Sequence, residues 1–248
     1  MTGFFVSVTT SHKKGGTMAI TRDHCLTGQL YHLSFRVSED LGACSLVANA
    51  SDAFKLISSI DESLNFSRTL CHSFCLLKKE LHMLITPKAK QSVLSFGEQL
   101  SLRLENVFRG RARHPALTLT EHGLSLVDDE CYALTLSRYI ESLPVLRGDA
   151  QRASDYSYSS YQNNAVKACL WGERWLRPHM TYYELGLTES ERRKRYRALF
   201  CIGIPKSTIK QIQYANQHYR VVGDDLFKRR LERRLARSLD REAKALAV

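Results

Sequence analysis

The stretch Leu70-Cys71-His72-Ser73-Phe74-Cys75-Leu76-Leu77-Lys78-Lys79-Glu80-Leu81-His82-Met83-Leu84-Ile85-Thr86-Pro87 decides the fold. Leu70 to Leu77 reads as an apolar strand, Lys78-Lys79 interrupts it, and Leu81 to Ile85 reads as the next strand, ended by Thr86-Pro87. Upstream, Leu30 to Val37 alternates with period two as a strand does. Ser51 is placed to cap a helix carrying Phe54, Ile57, Ile60 and Leu64 on one stripe. Downstream, Gln91 to Phe108 reads as a helix with Val93, Leu94, Leu100, Leu104 and Val107, and Arg109 to Pro115 as a basic loop. A short strand follows within Thr118 to Val127, then a helix from Asp129 to Ile140 that should stop before Pro144. This order predicts an α+β domain with helices packed on an antiparallel sheet.

Beyond it, residues 149–187 are loop-rich, with Tyr156, Tyr158 and Tyr161 among serines. Thr188-Glu189-Ser190-Glu191 makes a capping box that opens a basic helix. Ser207 is placed to open another, and Asp224 or Asp225 a third with Phe227, Leu231 and Leu235 at four-residue spacing. The expected division is a flexible extension over 1–17, a main domain over 18–165, a connector over 166–187 and a small, basic, all-helical region over 188–248.

The net charge is +11, and residues 188–248 hold most of the excess, with 16 Lys or Arg against 7 Asp or Glu. A concentrated positive field attracts polyanions, and nucleic acid is the usual partner; a solvated helix face is the plainer explanation of such runs. The candidate DNA contacts are Arg109, Arg111 and Arg113 in the basic loop, with Arg192, Arg193, Lys194, Arg195, Arg229, Arg230, Arg233 and Arg234 near the C-terminus. No run approaches 18 consecutive apolar residues, which argues against a membrane span, and no secretory signal is visible. The odd count of 7 cysteines suggests free thiols and a cytoplasmic protein. Cys71, His72, Cys75 and His82 lack a second pair that would complete a zinc set, and Cys71, Ser73 and Cys75 read as one strand face.

Four blocks in order resemble the REP-associated tyrosine transposases, single-tyrosine transposases of the HUH type. The first is Phe74 to Pro87, where that family runs through His-hydrophobic-His into an apolar strand and Thr-Pro. The second, Arg138-Tyr139-Ile140-Glu141-Ser142-Leu143-Pro144-Val145-Leu146-Arg147-Gly148, is similar to the family's Arg-Tyr-Ile-Glu-Leu-Asn-Pro-Val-Arg-Ala-Gly. The third is Asp155 to Ala165, and the fourth runs from Pro178-His179 through Tyr182, Leu185-Gly186 and Tyr196 to Phe200. The resemblance implies a ferredoxin-like antiparallel sheet over the main domain and a DNA partner, single-stranded or hairpin-forming. It also implies a monomer or homodimer.

In that family a tyrosine hydroxyl attacks a DNA phosphodiester, leaving a 5′-phosphotyrosine link and a free 3′-OH. Two histidines, one residue apart on a strand face, hold the divalent ion that polarises the phosphate. By this match Tyr139 is the nucleophile and His82 the second histidine, while Glu80 stands where the first would be. Glutamate is a legitimate ligand for Mg²⁺ or Mn²⁺, so Glu80 and His82 are the candidate metal pair. The family's third ligand, an asparagine four residues past the tyrosine, is Leu143, which ligates nothing. The family's basic-aromatic segment is shortened to Thr120-Glu121-His122-Gly123-Leu124-Ser125. These losses imply a transposase-derived DNA-binding protein with cleavage weak or absent, whose cofactor is Mg²⁺ or Mn²⁺ if it is active and none otherwise. The alternatives are an active enzyme that nicks and rejoins DNA, and a regulatory or scaffold protein using its C-terminal helices against a protein partner.

Overall fold

The computed structural model describes residues 25–37, 45–47, 49–108, 119–166 and 174–234, and the side chains of all of these except 108 and 119–121. Strand β1 (Leu30–Val37) leads to helix α1 (Ala50–Ser67), a hairpin of β2 (Thr69–Leu76) and β3 (Glu80–Pro87), helix α2 (Ser92–Phe108) and β4 (Leu119–Val127). The spatial order β2-β3-β1-β4, all antiparallel, is the ferredoxin-like βαββαβ arrangement. Helix α3 (Asp129–Leu146) follows, then α4 (Met180–Tyr183), α5 (Glu189–Cys201), α6 (Lys206–Gln217) and β5 (Val221–Val222). Residues 225–234 are helical, opened by Asp224, whose carboxylate accepts from the Phe227 amide at 2.6 Å. β5 adds to β4 in parallel, so the region expected to be all-helical also supplies an edge strand, of two β-branched residues.

Each face of the sheet has its own core. On one, Tyr31, Leu33, Phe35 and Val37 of β1 pack with Leu81, Met83 and Ile85 of β3 under α1 and α2. On the other, Leu30, Leu84 and Val127 pack under Leu136, Tyr139, Ile140 and Leu143 of α3 and Ile212 and Ala215 of α6. The C-terminal region is therefore built into the main core. Tyr196 of α5 joins a third cluster with Tyr161 and Tyr182, and Phe227 and Leu231 close the first.

Several local expectations are corrected. Asn49 rather than Ser51 caps α1, its side chain accepting from the Asp52 amide. Phe54 is exposed while Ala53 and Leu56 are buried, because the buried stripe runs 53-56-57-60-64 and Phe54 falls on its flank. Helix α3 does not stop before Pro144; it carries that proline in its last turn, where one missing donor interrupts little of the ladder. A bulge between Cys71 and Ser73 inverts the facing of β2, so Cys71 lies in the first core and Cys75 in the second. They do not share a face, and His72 is occupied with Arg177 O at 2.6 Å and Thr86 Oγ1 at 2.8 Å. The expected capping box at Thr188 and Glu191 is present.

The tyrosine-serine segment lies along the outer edge of β2, which would otherwise offer bare backbone groups. Leu76 donates to Tyr158 O at 2.9 Å, Ser160 donates to Phe74 O at 3.0 Å, and the Tyr156 hydroxyl donates to Leu76 O at 2.8 Å. Among the described residues no helix is long and apolar enough to cross a membrane.

Candidate functional site

On the α3/α6 face, β1 presents His32, Ser34 and Arg36, since the alternate residues point the other way. β3 begins with Glu80, and His82 follows on the same side; cross-strand register sets Arg36 opposite Glu80 and Ser34 opposite His82. These side chains form one connected line. Glu80 Oε1 accepts from Arg36 Nη2 at 2.7 Å and Nε at 3.1 Å. Glu80 Oε2 accepts from Arg147 Nη2 at 2.6 Å and lies 3.1 Å from His82 Nε2. His82 Nδ1 is 3.1 Å from His32 Nε2, and the His32 ring stands edge-on to Tyr139, with centroids 5.9 Å apart.

The charges follow from these contacts. Burial alone would raise the Glu80 carboxyl, but His82, Arg36 and Arg147 outweigh it and hold it down at about 2, fully ionised at neutral pH. Burial, then His82, keeps His32 well below the usual histidine range, so it is neutral. The two ring nitrogens of His82 are thus held between Glu80 on one side and His32 on the other. His32 Nδ1 is buried and without a hydrogen-bond partner.

Tyr139 is only 3% exposed. Burial pushes its phenol upward against the opposing effects of a Gln213 hydrogen bond and the Arg147 charge, so it stays protonated. Gln213 belongs to α6, which is held down by Asn216: its amide donates to His32 O at 2.9 Å and its carbonyl accepts from Ser34 Oγ at 2.7 Å. Gly123 makes this approach possible, because a Cβ there would lie 2.4 Å from Asn216 Oδ1 and 2.5 Å from Asn216 O. A second bulge, opposite Ser34 and Phe35, leaves His122 outside the β1–β4 pairing. The half-buried His122 is lowered by its burial, then by Arg36, against Glu80, with His82 and Arg147 adding, so its ring senses the same cluster.

Tyr139, Glu80 and His82 are thus brought to one site, but the donor set does not fit a divalent ion. Both Glu80 oxygens and both His82 nitrogens are already engaged, and a cation entering here would meet two guanidinium groups. Leu143 is buried in the apolar core, and among the described residues no three His, Cys, Asp or Glu side chains converge as metal ligands do. Glu141 faces away from Tyr139 into a separate network. It accepts from Ser160 Oγ at 2.6 Å, Asn164 Nδ2 at 2.8 Å and the Tyr196 hydroxyl at 2.9 Å, and burial raises it to about 7 despite these bonds.

His32, Arg36, Arg147, His122 and Gln213 were missing from the candidates. Their signal was available in part: His32, Ser34 and Arg36 recur at period two in a strand whose other positions are apolar. Of the basic candidates, Arg109, Arg111 and Arg113 lie outside the described residues. Arg192 donates to Gly186 O and Leu187 O, and Arg193 pairs with Glu189, so both serve the fold. Lys194, Arg195, Arg229, Arg230, Arg233 and Arg234 are exposed.

No family model and no curated protein matches the chain. Among solved structures, the chain is similar to a REP-associated tyrosine transposase bound to a REP hairpin, at 14% identity and a TM-score of 0.46, over 68% of this chain and 93% of that one.

Proposed function

We propose that the protein is a transposase-derived DNA-binding protein that holds single-stranded or hairpin DNA and cuts it weakly or not at all. One observation carries the second half of that reading: the tyrosine in the nucleophile's position is buried and protonated, beside a carboxylate clamped by two arginines. A phenol must lose its proton and reach the phosphorus to form an adduct, and burial opposes both. The DNA-binding half is supported by the four sequence blocks and by exposed arginines on α5 and over 225–234, where the charge excess resides.

The test is incubation of the full chain with single-stranded hairpin DNA and Mn²⁺, run on native and denaturing gels side by side. The expected result is a retarded native complex and no adduct surviving denaturation. An efficient adduct that disappears in Tyr139→Phe establishes the nicking-and-rejoining enzyme instead. Affinity no greater than charge gives at low salt establishes the scaffold reading.

A second reading rests on the line Glu80–His82–His32, in which a carboxylate contacts one histidine, that histidine contacts a second, and the second has a buried, unpartnered Nδ1 and a ring edge-on to Tyr139. In this reading His32 serves as the base for the phenol without metal. It predicts an adduct in EDTA as well as in Mn²⁺.

A further inference from the structure

We propose that Arg36, Arg147 and His122 form a metal-independent phosphodiester site over Glu80, in which guanidinium groups supply the positive charge. Two guanidiniums, those of Arg36 and Arg147, share the one Glu80 carboxylate. Arg147 engages Glu80 through Nη2 while 46% of its side chain stays exposed, and Arg36 is 31% exposed. Guanidinium N–H groups in a fixed plane match the oxygens of a phosphate, and a shared carboxylate holds both groups in place before a ligand arrives.

His122 borders the pair. The β4 bulge puts it out of register, its Nε2 is buried without a hydrogen-bond partner, and its ring senses Arg36, Glu80, His82 and Arg147. Lys78 and Lys79, in the turn that leads into Glu80, are exposed at the same end of the sheet, with Asp149 offsetting Lys78 at 3.4 Å.

The inference rests on the DNA-binding reading, and its test separates the two. Ring resonances of His122 are followed by NMR in EDTA while the full chain is titrated with dithymidine monophosphate, then with its uncharged methylphosphonate analogue. The phosphodiester should give saturable shifts and the analogue none. Arg147→Met, which keeps the aliphatic stem, should weaken the dinucleotide by about tenfold to a hundredfold. Glu80→Gln should tighten it, because the competing anion is gone; a gain of affinity is not a consequence of misfolding, and a metal-ligand role for Glu80 predicts the opposite sign. Shifts that saturate only with Mn²⁺, equal shifts from the methylphosphonate, or weakening in Glu80→Gln would overturn the site. Hairpin affinity measured in parallel distinguishes the failures. A hairpin that binds without a saturable dinucleotide sinks the site alone, and a saturable dinucleotide without hairpin binding supports the site and sinks the wider reading.

Discussion

The two faces of β1 obey different rules. Toward α1 and α2 it presents Tyr31, Leu33, Phe35 and Val37, and toward α3 and α6 it presents His32, Ser34 and Arg36, though both faces are covered. Each large apolar side chain buried on the first face stabilises by about 1.5–3 kcal/mol. On the second, each polar group costs free energy unless a partner satisfies it, and the hydrogen-bond partners come from three separate elements, β3, α6 and β4. The first face holds the chain together. The second is organised around groups that a fold alone does not need.

The comparison breaks most readily at Phe96, wholly buried against Phe35 on the apolar face. Phe96→Ala should cost about 3–5 kcal/mol in urea unfolding while leaving DNA affinity intact below the transition. A loss of affinity at full folding would mean that the faces are not separate in function.

Glu141 gives the next largest effect. Its folded pKa of about 7 lies above its ordinary 4.5, so the stability linked to its proton is complete below 4.5 and is lost as pH rises through about 7. Full loss amounts to about 3 kcal/mol, and Glu141→Gln should remove that decline between about pH 5 and pH 8. Glu80 has the opposite sign: held at about 2, it contributes above 4.5 and loses that contribution as pH falls toward 2. An unfolding series whose slope at neutral pH is the same in Glu141→Gln refutes the assignment.

Gly123→Ala should destabilise by about 1–3 kcal/mol, because α6 must lift from β4 to admit the methyl group. Lifting also withdraws Gln213, so Tyr139 should become reactive toward a tyrosine-modifying reagent. Unchanged stability and an unreactive Tyr139 would show that α6 does not seal the site. The smallest effects belong to Lys194→Ala and Arg195→Ala, within about 0.5 kcal/mol in stability. Each should reduce the salt slope of binding to single strands by about 0.7 if it contacts a phosphate. Deleting 188–248 cannot make that measurement, since Ile212, Ala215 and Val222 belong to the second core.

The sheet was legible because Leu70 to Pro87 carries a strand, a break and a second strand in plain hydropathy, and β1 alternates cleanly. Tyr139, Glu80 and His82 were legible only as a match to a pattern of residues. What periodicity hides is inversion. The bulges at Cys71/Ser73 and opposite Ser34/Phe35 depend on backbone pairing, and they decide which face Cys71 takes and where His122 goes. Arg147 and Gln213 reach the site from elements distant in sequence, and Phe54 shows that an apolar residue near a stripe need not belong to it.

The clamp on Glu80 makes the position one-way in mutational terms. Glu80→His alone would leave Arg36 and Arg147 facing one another across an imidazole, with the shared counter-charge gone. Neither guanidinium can shed its proton to relieve this. A two-histidine metal pair at this position would therefore need changes at 36 and 147 as well as at 80. The clamp thus ties position 80 to positions 36 and 147, so that a single substitution at any of the three alters the charge balance of all of them.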